Sequence, residues 1–394
     1  MKLQFLSLVA GRALSGLILT LMTVLVARNS DPSSFGQAAL VLSTGMFLFV
    51  VFDFGLSTYI ARAEARGDQA DVHGALRANA WSTAAGVVVS AVLLAILSSA
   101  TGSGWLLGLV GLALSLGIDK SADAISSVAI ARTHKISTSL MLLLRRGVAL
   151  IALFGLVYGG FDWLSAFVVS LPLGSAVAFA YIRWMLRSAY RTQNTTAMRR
   201  VLAAAFPFLL SNASASVRNL DVSIVSVLGT PAAAGIYSAA QRLTSPFLLI
   251  PNTLGTLILP AASRGGWDRA RSIARKLVVL HLAFLLLCGI VALFAEQIVL
   301  VTLGAAYSAA SPVVVVCLLA FPFTALASPL GGVLQSQGEE RFVGTNGVAF
   351  SLVFIAAVAI GFISLDATGA MLGVLVTYLL KCTFLMFRIE RASR

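Results

Sequence analysis

Long apolar segments divide this chain almost without remainder, and its basic residues fall on every second connection between them. Twelve segments are expected, at 5–27, 36–60, 78–98, 105–130, 136–158 and 163–186, then 201–229, 235–260, 277–295, 312–335, 342–363 and 369–388. A membrane-crossing helix needs about 20 apolar residues, and these segments supply them. With the N-terminus placed in the cytoplasm, the inner connections carry Arg62, Arg66 and Arg77, then Arg132 and Lys135, then Arg187, Arg191, Arg199 and Arg200. The next two carry Arg264, Arg269, Arg271, Arg275 and Lys276, then Arg341, and the tail carries Arg388, Arg391 and Arg394. The outer connections carry essentially Arg28 alone. The expectation is an all-α, multi-pass protein of the cell inner (cytoplasmic) membrane with both termini inside.

Composition agrees. Charged residues are 11% of the chain, against about 25% in a soluble domain, and 59% are hydrophobic. A net charge of +13 would suggest a nucleic-acid partner for a soluble protein. Here the insertion rule and anionic lipid account for the loop charges, and no nucleic acid is expected. Cys288, Cys317 and Cys382 sit in apolar segments without metal-ligand spacing, so neither a metal nor a cofactor is expected. The outer loops offer only Asp31, Asp162, Glu296 and Asp366, too dispersed for a catalytic carboxylate pair, and no GxxxxGK[ST] phosphate loop is present. The expectation is a non-enzyme.

The two halves look alike. Pro32-Ser33-Ser34-Phe35-Gly36 near the first outer turn corresponds to Pro231-Ala232-Ala233-Ala234-Gly235, an offset of 199. Gly55 then matches Gly255 within one residue, and Arg66-Gly67 resembles Arg264-Gly265. A six-span repeat predicts lobes at 1–196 and 197–394, related by a pseudo-two-fold along the membrane normal, with a cavity between them. One copy would suffice for such a path, so a monomer is expected. Pro172, Pro207, Pro246, Pro251, Pro260, Pro322 and Pro329 fall inside spans, where they act either as static bends or as hinges.

Charges within the spans carry the functional argument, because an ionised group at the bilayer centre costs about 2.5–3.5 kcal/mol unless it faces a cavity or a partner. The cations are Arg12, Lys120, Arg145, Arg146, Arg218, Arg242 and Lys381; the anions are Asp53, Asp119, Asp123 and Asp221. Asp119 and Asp123 are i,i+4 and can both face Arg145 or Arg146 on the next helix. One of those arginines is expected to face the cavity and the other a structural acid. Arg218 and Asp221 are i,i+3 and expected to pair. Arg12 is open between a snorkelling anchor and a cavity residue. Asn212, Ser216, Asn219 and Ser223 predict a polar stripe on the seventh span, with Asn252 and Gln335 as additions. Surplus cations suit phosphate oxygens, and amides and hydroxyls suit a sugar. The candidate substrate-binding set is Arg145, Arg146, Arg218, Arg242, Asn212, Asn219, Lys381 and Arg12. Asp53, Asp119, Asp123 and Asp221 are candidates for ion coupling or charge pairing.

The stretch LVARNSDPSSFGQAALVLSTGMFLFVVFDFGLSTYIAR resembles the start of the polysaccharide flippases, the O-antigen and teichoic-acid branch of the multidrug/oligosaccharidyl-lipid/polysaccharide exporter superfamily. RNLDVSIVSVLGTPAAAGIYSAAQRLTSPFLLIP resembles the start of their second half, and VTLGAAYSAASPVVVV and VLQSQGEERF resemble later segments. The resemblance implies twelve helices in two lobes and alternating access. The implied activity is flipping of an undecaprenyl-pyrophosphate-linked oligosaccharide from the inner to the outer leaflet. The implied cargo is a lipid-linked glycan among membrane lipids. A glycan polymerase and glycosyltransferases of the same pathway are candidate partners. Asp53, in FDFGL, matches a family position with an expected structural role. The alternative is an ion-coupled multidrug exporter of the same superfamily, which would want acids to dominate its cavity.

Overall fold

The computed structural model describes residues 2–102, 104–132, 134–187, 195–248 and 266–392. Arg191, Pro251, Asn252, Gly255, Pro260, Arg264, Gly265 and Arg394, named above, lie outside them. The regular structure of the described residues is helical, with no strand. The helices are α1 (Lys2–Arg28), α2 (Pro32–Asp53), α3 (Leu56–Ala65), α4 (Gln69–Thr101), α5 (Val110–Ala131), α6 (Lys135–Tyr158) and α7 (Trp163–Met185). There follow α8 (Met198–Ser216), α9 (Asp221–Leu228), α10 (Pro231–Thr244), α11 (Gly266–Ala292), α12 (Ala295–Thr302), α13 (Ser311–Gln335) and α14 (Glu340–Ala392).

Among the described residues, nine helices are long and apolar enough to cross a membrane. Three causes separate nine from twelve. Helix α5, the fourth expected span, carries Asp119, Lys120 and Asp123 within its apolar run. The eighth span extends beyond the described residues after Leu248. The eleventh and twelfth form one run, α14, broken by non-helical backbone at Leu365 and Asp366. That break falls in the short connection between the expected spans 342–363 and 369–388. The chain is a multi-pass membrane protein of all-α class.

Two breaks reshape the expected spans. The second ends at Asp53, where Phe54 and Gly55 both take positive φ (53° and 74°) before α3 restarts. Glycine tolerates that conformation without a Cβ clash. The seventh is cut by a 3₁₀ turn at Val217–Leu220 between α8 and α9, so Asn212, Ser216, Asn219 and Ser223 do not form one continuous helical stripe. Helix α7 runs through Pro172, α8 through Pro207, and α13 through both Pro322 and Pro329. Pro246 lies in a 3₁₀ turn that follows α10.

The chain resolves into two compact units, Met1–Met22 with Gln37–Asn219, and Thr23–Gly36 with Leu220–Arg394. The linear halves therefore trade segments: the α1–α2 turn belongs to the second unit and α8 to the first. In the first unit, Thr196 reaches back to the start of α4, its N–H bonding Ala70 O at 3.1 Å and its hydroxyl donating to Asp71 Oδ1 at 2.6 Å. That attachment sets α8 against α3 and α4, where Val201 and Ala205 join a core with Leu56, Ile60, Val72 and Ala75. The second unit has its own core, in which Ala274 and Leu277 of α11 meet Leu330 and Val333 of α13 and Leu385 and Ile389 of α14.

The repeated turns are structural equivalents in the second unit. Asp31 Oδ2 accepts from Ser34 N–H at 2.8 Å, and Thr230 Oγ1 accepts from Ala233 N–H at 3.2 Å. Each caps a helix whose first residue is proline, the expected arrangement for an N-terminus. Gly36 lies against the carbonyl of Pro231, and Gly235 lies reciprocally against the carbonyl of Pro32. A Cβ at either position would overlap backbone, so this approach requires glycine.

Candidate functional site

A cavity of about 470 Å³ opens within the first unit, walled by α1, α2, α3, α5, α6 and α8. Arg12, Lys120, Arg145, Asp53 and Asp123 line it, together with Ser57, Ser126, Ser127, Thr138, Asn212 and Ser216. Five charged side chains around one membrane-embedded space are costly unless water or a polar ligand fills it.

An ion-pair cluster between α5 and α6 reaches the wall through Arg145 and Asp123. Arg145 Nη2 donates to Asp123 Oδ1 at 2.7 Å. Arg145 Nε lies 3.1 Å from Asp119 Oδ1, within ion-pair range but off the line of a hydrogen bond. Arg146 Nη2 donates to the other oxygen, Asp119 Oδ2, at 3.2 Å. The i,i+4 spacing of the aspartates does turn both toward the next helix. The expected division of labour is corrected, because Arg145 faces the cavity while binding both acids. Two arginines and two aspartates balance, so these guanidinium groups are not uncompensated. A balanced cluster is what a low-dielectric setting demands, since a buried ion missing its partner is strongly destabilising.

The other charges are arranged differently. Asp53 accepts from Ser57 Oγ at 2.6 Å and from Asn79 Nδ2 at 2.8 Å. It also accepts weakly, at 3.4 Å, from the Ser57 N–H in the first turn of α3, so it helps to cap that helix. Its expected structural role at the end of the span therefore coexists with a place on the cavity wall. Neither Lys120 nor Arg12 has a carboxylate within ion-pair distance among the described residues. Arg12 is exposed and lines the cavity.

Several expected site residues lie elsewhere. Arg218 sits exposed in the 3₁₀ turn, and its expected partner Asp221 takes hydrogen bonds from Tyr237 Oη at 3.1 Å and from Gln241 Nε2. Asn219 contributes its backbone carbonyl to Ser43 Oγ. Arg242 is half-buried in α10, and Lys381 lies 5.8 Å from the Tyr378 ring centroid in α14. Gln335 closes α13. None of these lines the cavity. Asn212 does line it, with its amide directed to Thr58 Oγ1 at 3.4 Å. Lys120, Ser126, Ser127 and Thr138 escaped assignment to the site from sequence. The signal was present, because Lys120, Asp123, Ser126 and Ser127 recur at i, i+3, i+6 and i+7, one helical face.

A sequence model described as "Polysaccharide biosynthesis protein" matches residues 25–312. The chain belongs to this family. No curated protein matches it. Its fold is shared with solved transporters of the MOP superfamily. An inward-facing multidrug resistance MATE family transporter superposes with a TM-score of 0.73 at 14% identity, covering 96% of this chain and 94% of that one. A MOP superfamily transporter from Pyrococcus furiosus, described by the reverse polarity of its binding pocket, gives 0.69 at 14% identity over 99% and 94%. The Vibrio cholerae MATE transporter VcmN in its bent form gives 0.63 at 14% identity over 99% and 96%.

Proposed function

We propose that the protein is a flippase that exports an anionic, lipid-linked oligosaccharide by alternating access for cell-surface polysaccharide assembly. Family membership supports the polysaccharide, and the superfamily fold supports the export. The observation that carries the cargo's charge is the cavity wall, where Arg12, Lys120 and Arg145 face Asp53 and Asp123, three cations to two anions. Once Arg145 is discounted for its ion pairs, Lys120 and Arg12 remain to take phosphate oxygens. Hydroxyls of Ser57, Ser126, Ser127 and Ser216 and the amide of Asn212 suit a sugar. With the cell interior negative, each negative charge moved outward gains about 2.3 kcal/mol per 100 mV.

The test is reconstitution with a fluorescent polyprenyl-pyrophosphate glycan, comparing the unchanged protein with Lys120→Gln and Arg12→Gln. Both variants should slow flipping while folding normally. Undiminished transport in the double variant would overturn the assignment. One observation favours ion coupling in addition. Asp53 is 4% exposed on the cavity wall, with hydroxyl, amide and backbone N–H groups, and no ion pair, as its partners among the described residues. Coupling through Asp53 would appear as a loss of proton or sodium dependence in Asp53→Asn. An ion-coupled multidrug exporter would instead transport cationic dyes in the same vesicles.

A further inference from the structure

The two acids beside Arg145 are held unequally. Asp119 uses both carboxylate oxygens: Oδ1 lies 3.1 Å from Arg145 Nε, Oδ2 accepts from Arg146 Nη2 at 3.2 Å, and only 11% of its side chain is exposed. Asp123 uses one. Its Oδ1 accepts from Arg145 Nη2 at 2.7 Å, its Oδ2 has no partner among the described residues, and 41% of its side chain is exposed. The nearby hydroxyls of Ser126 and Ser127 donate to the Asp123 main-chain carbonyl, at 2.8 and 3.0 Å, and leave the carboxylate alone. Asp123 lines the polar cavity and Asp119 does not.

This difference sets what each contact costs to open. Taking Asp119 from its arginines would strand a buried charge, which is strongly destabilising. A half-exposed carboxylate keeps part of its hydration, and exposed pairs contribute little, so Asp123 can turn into the cavity at small cost. The guanidinium stays behind when it does, because Nε remains beside Asp119 Oδ1 and Nη2 lies 3.4 Å from the Asp119 main-chain O. Two arginines then share one aspartate, which leaves net positive charge on the cavity wall. Lys120, one turn before Asp123 on α5, lines the same wall. A guanidinium in that state accepts a phosphate oxygen as readily as a carboxylate oxygen.

We propose that Asp123 is a displaceable counter-ion that holds Arg145 in reserve for the cargo's phosphate. The inference rests on the flippase reading above and adds a specificity-determining residue to it. A phosphate oxygen entering the cavity takes the place of Asp123 Oδ1 at Arg145 Nη2, and the return of Asp123 drives it off again. Only ion pairs and hydrogen bonds are exchanged. A neutral glycolipid has nothing to offer Arg145 in place of the carboxylate, so the resting pair discriminates in favour of anionic head groups.

Isothermal titration calorimetry of the full-length protein in detergent provides the test, with inorganic pyrophosphate as the probe. Asp123→Asn removes the competitor and should tighten binding on the order of tenfold. Asp53→Asn removes an equal charge from the same wall without freeing an arginine, and should tighten it far less. In the flipping assay Asp123→Asn should lower KM and kcat together, the mark of a cargo held too tightly, whereas a loss of folded protein would lower kcat alone. The unchanged protein gives an answer that needs no variant: pyrophosphate should shift an aspartate carboxylate band in the infrared difference spectrum as Asp123 gives up its guanidinium. Equal tightening by the two variants would overturn the proposal, as would unaltered binding in Asp123→Asn or pyrophosphate binding without a carboxylate shift. Flipping of the glycan by the unchanged protein decides the transport reading separately.

Discussion

Helix α5 presents two opposed faces, and each lines a different concavity. Lys120, Asp123, Ser126, Ser127 and Ile130 face the polar cavity, while Leu114, Gly117, Ile118, Ser121 and Ile125 face an apolar groove. At 3.6 residues per turn the two sets lie about half a turn apart. A helix in lipid can be apolar all round, so a charged face needs a reason. Here the reason is a space that water or a polar ligand can enter. The comparison teaches that charge on this helix is confined to the side where it is either neutralised by arginines or left available to a cargo. The opposite side carries none.

The largest expected effect comes from breaking the neutralised part. Arg145→Ala leaves Asp123 without its 2.7 Å partner and Asp119 with Arg146 alone. The expected loss is about 3–5 kcal/mol, the usual cost of removing one member of a buried pair. Thermal unfolding in detergent should show it as a marked fall in Tm. An unchanged Tm would mean that the cluster is solvated and contributes little. Loss of transport in Arg145→Ala is therefore not by itself a sign of cargo binding. Lys120→Gln makes the opposite case on the same face. It strands no carboxylate at ion-pair range, so Tm should hold while flipping slows on the order of tenfold or more, as for one lost hydrogen bond to a charged group. Equal falls in Tm for both variants would erase the distinction between the two kinds of cation.

The sequence made one part of this legible and hid another. Asp119 and Asp123 could be paired with Arg145 and Arg146 because i,i+4 spacing and two consecutive helices restrict where the side chains meet. The helix starts at Pro32 and Pro231 were readable because capping and proline placement are local. The polar stripe from Asn212 to Ser223 was not, because the 3₁₀ turn at Val217–Leu220 rotates everything beyond it. Nor could local pattern place α8 in the first unit, since Thr196 anchors it through a contact with Asp71, 125 residues distant.

The repeated turns allow a finer version of the same comparison. Gly36→Val and Gly235→Val each push a side chain into the other turn's proline carbonyl, and each should cost about 1–3 kcal/mol. Because the two positions share one contact, the double variant should lose less than the sum, and full additivity in unfolding would show that they act separately.

The smallest effect separates the two caps by pH. Asp31 and Thr230 occupy equivalent places, and replacing either with Ala should cost about 1 kcal/mol near neutrality. Only Asp31 titrates. The backbone N–H of Ser34 holds its carboxyl below the ordinary value of 3.8. The folded state thus favours the ionised form, and the charge-dependent part of this stabilisation is complete above the unfolded value. It fades as pH falls through the folded one. The gap in Tm between the unchanged protein and Asp31→Ala should therefore stay constant from neutral pH down to the carboxylate range and narrow below it. The gap for Thr230→Ala should not change over the same interval. A Thr230→Ala gap that narrowed in step would place the titrating group elsewhere in the second unit, and the two turns would then be alike in acid response as well as in shape.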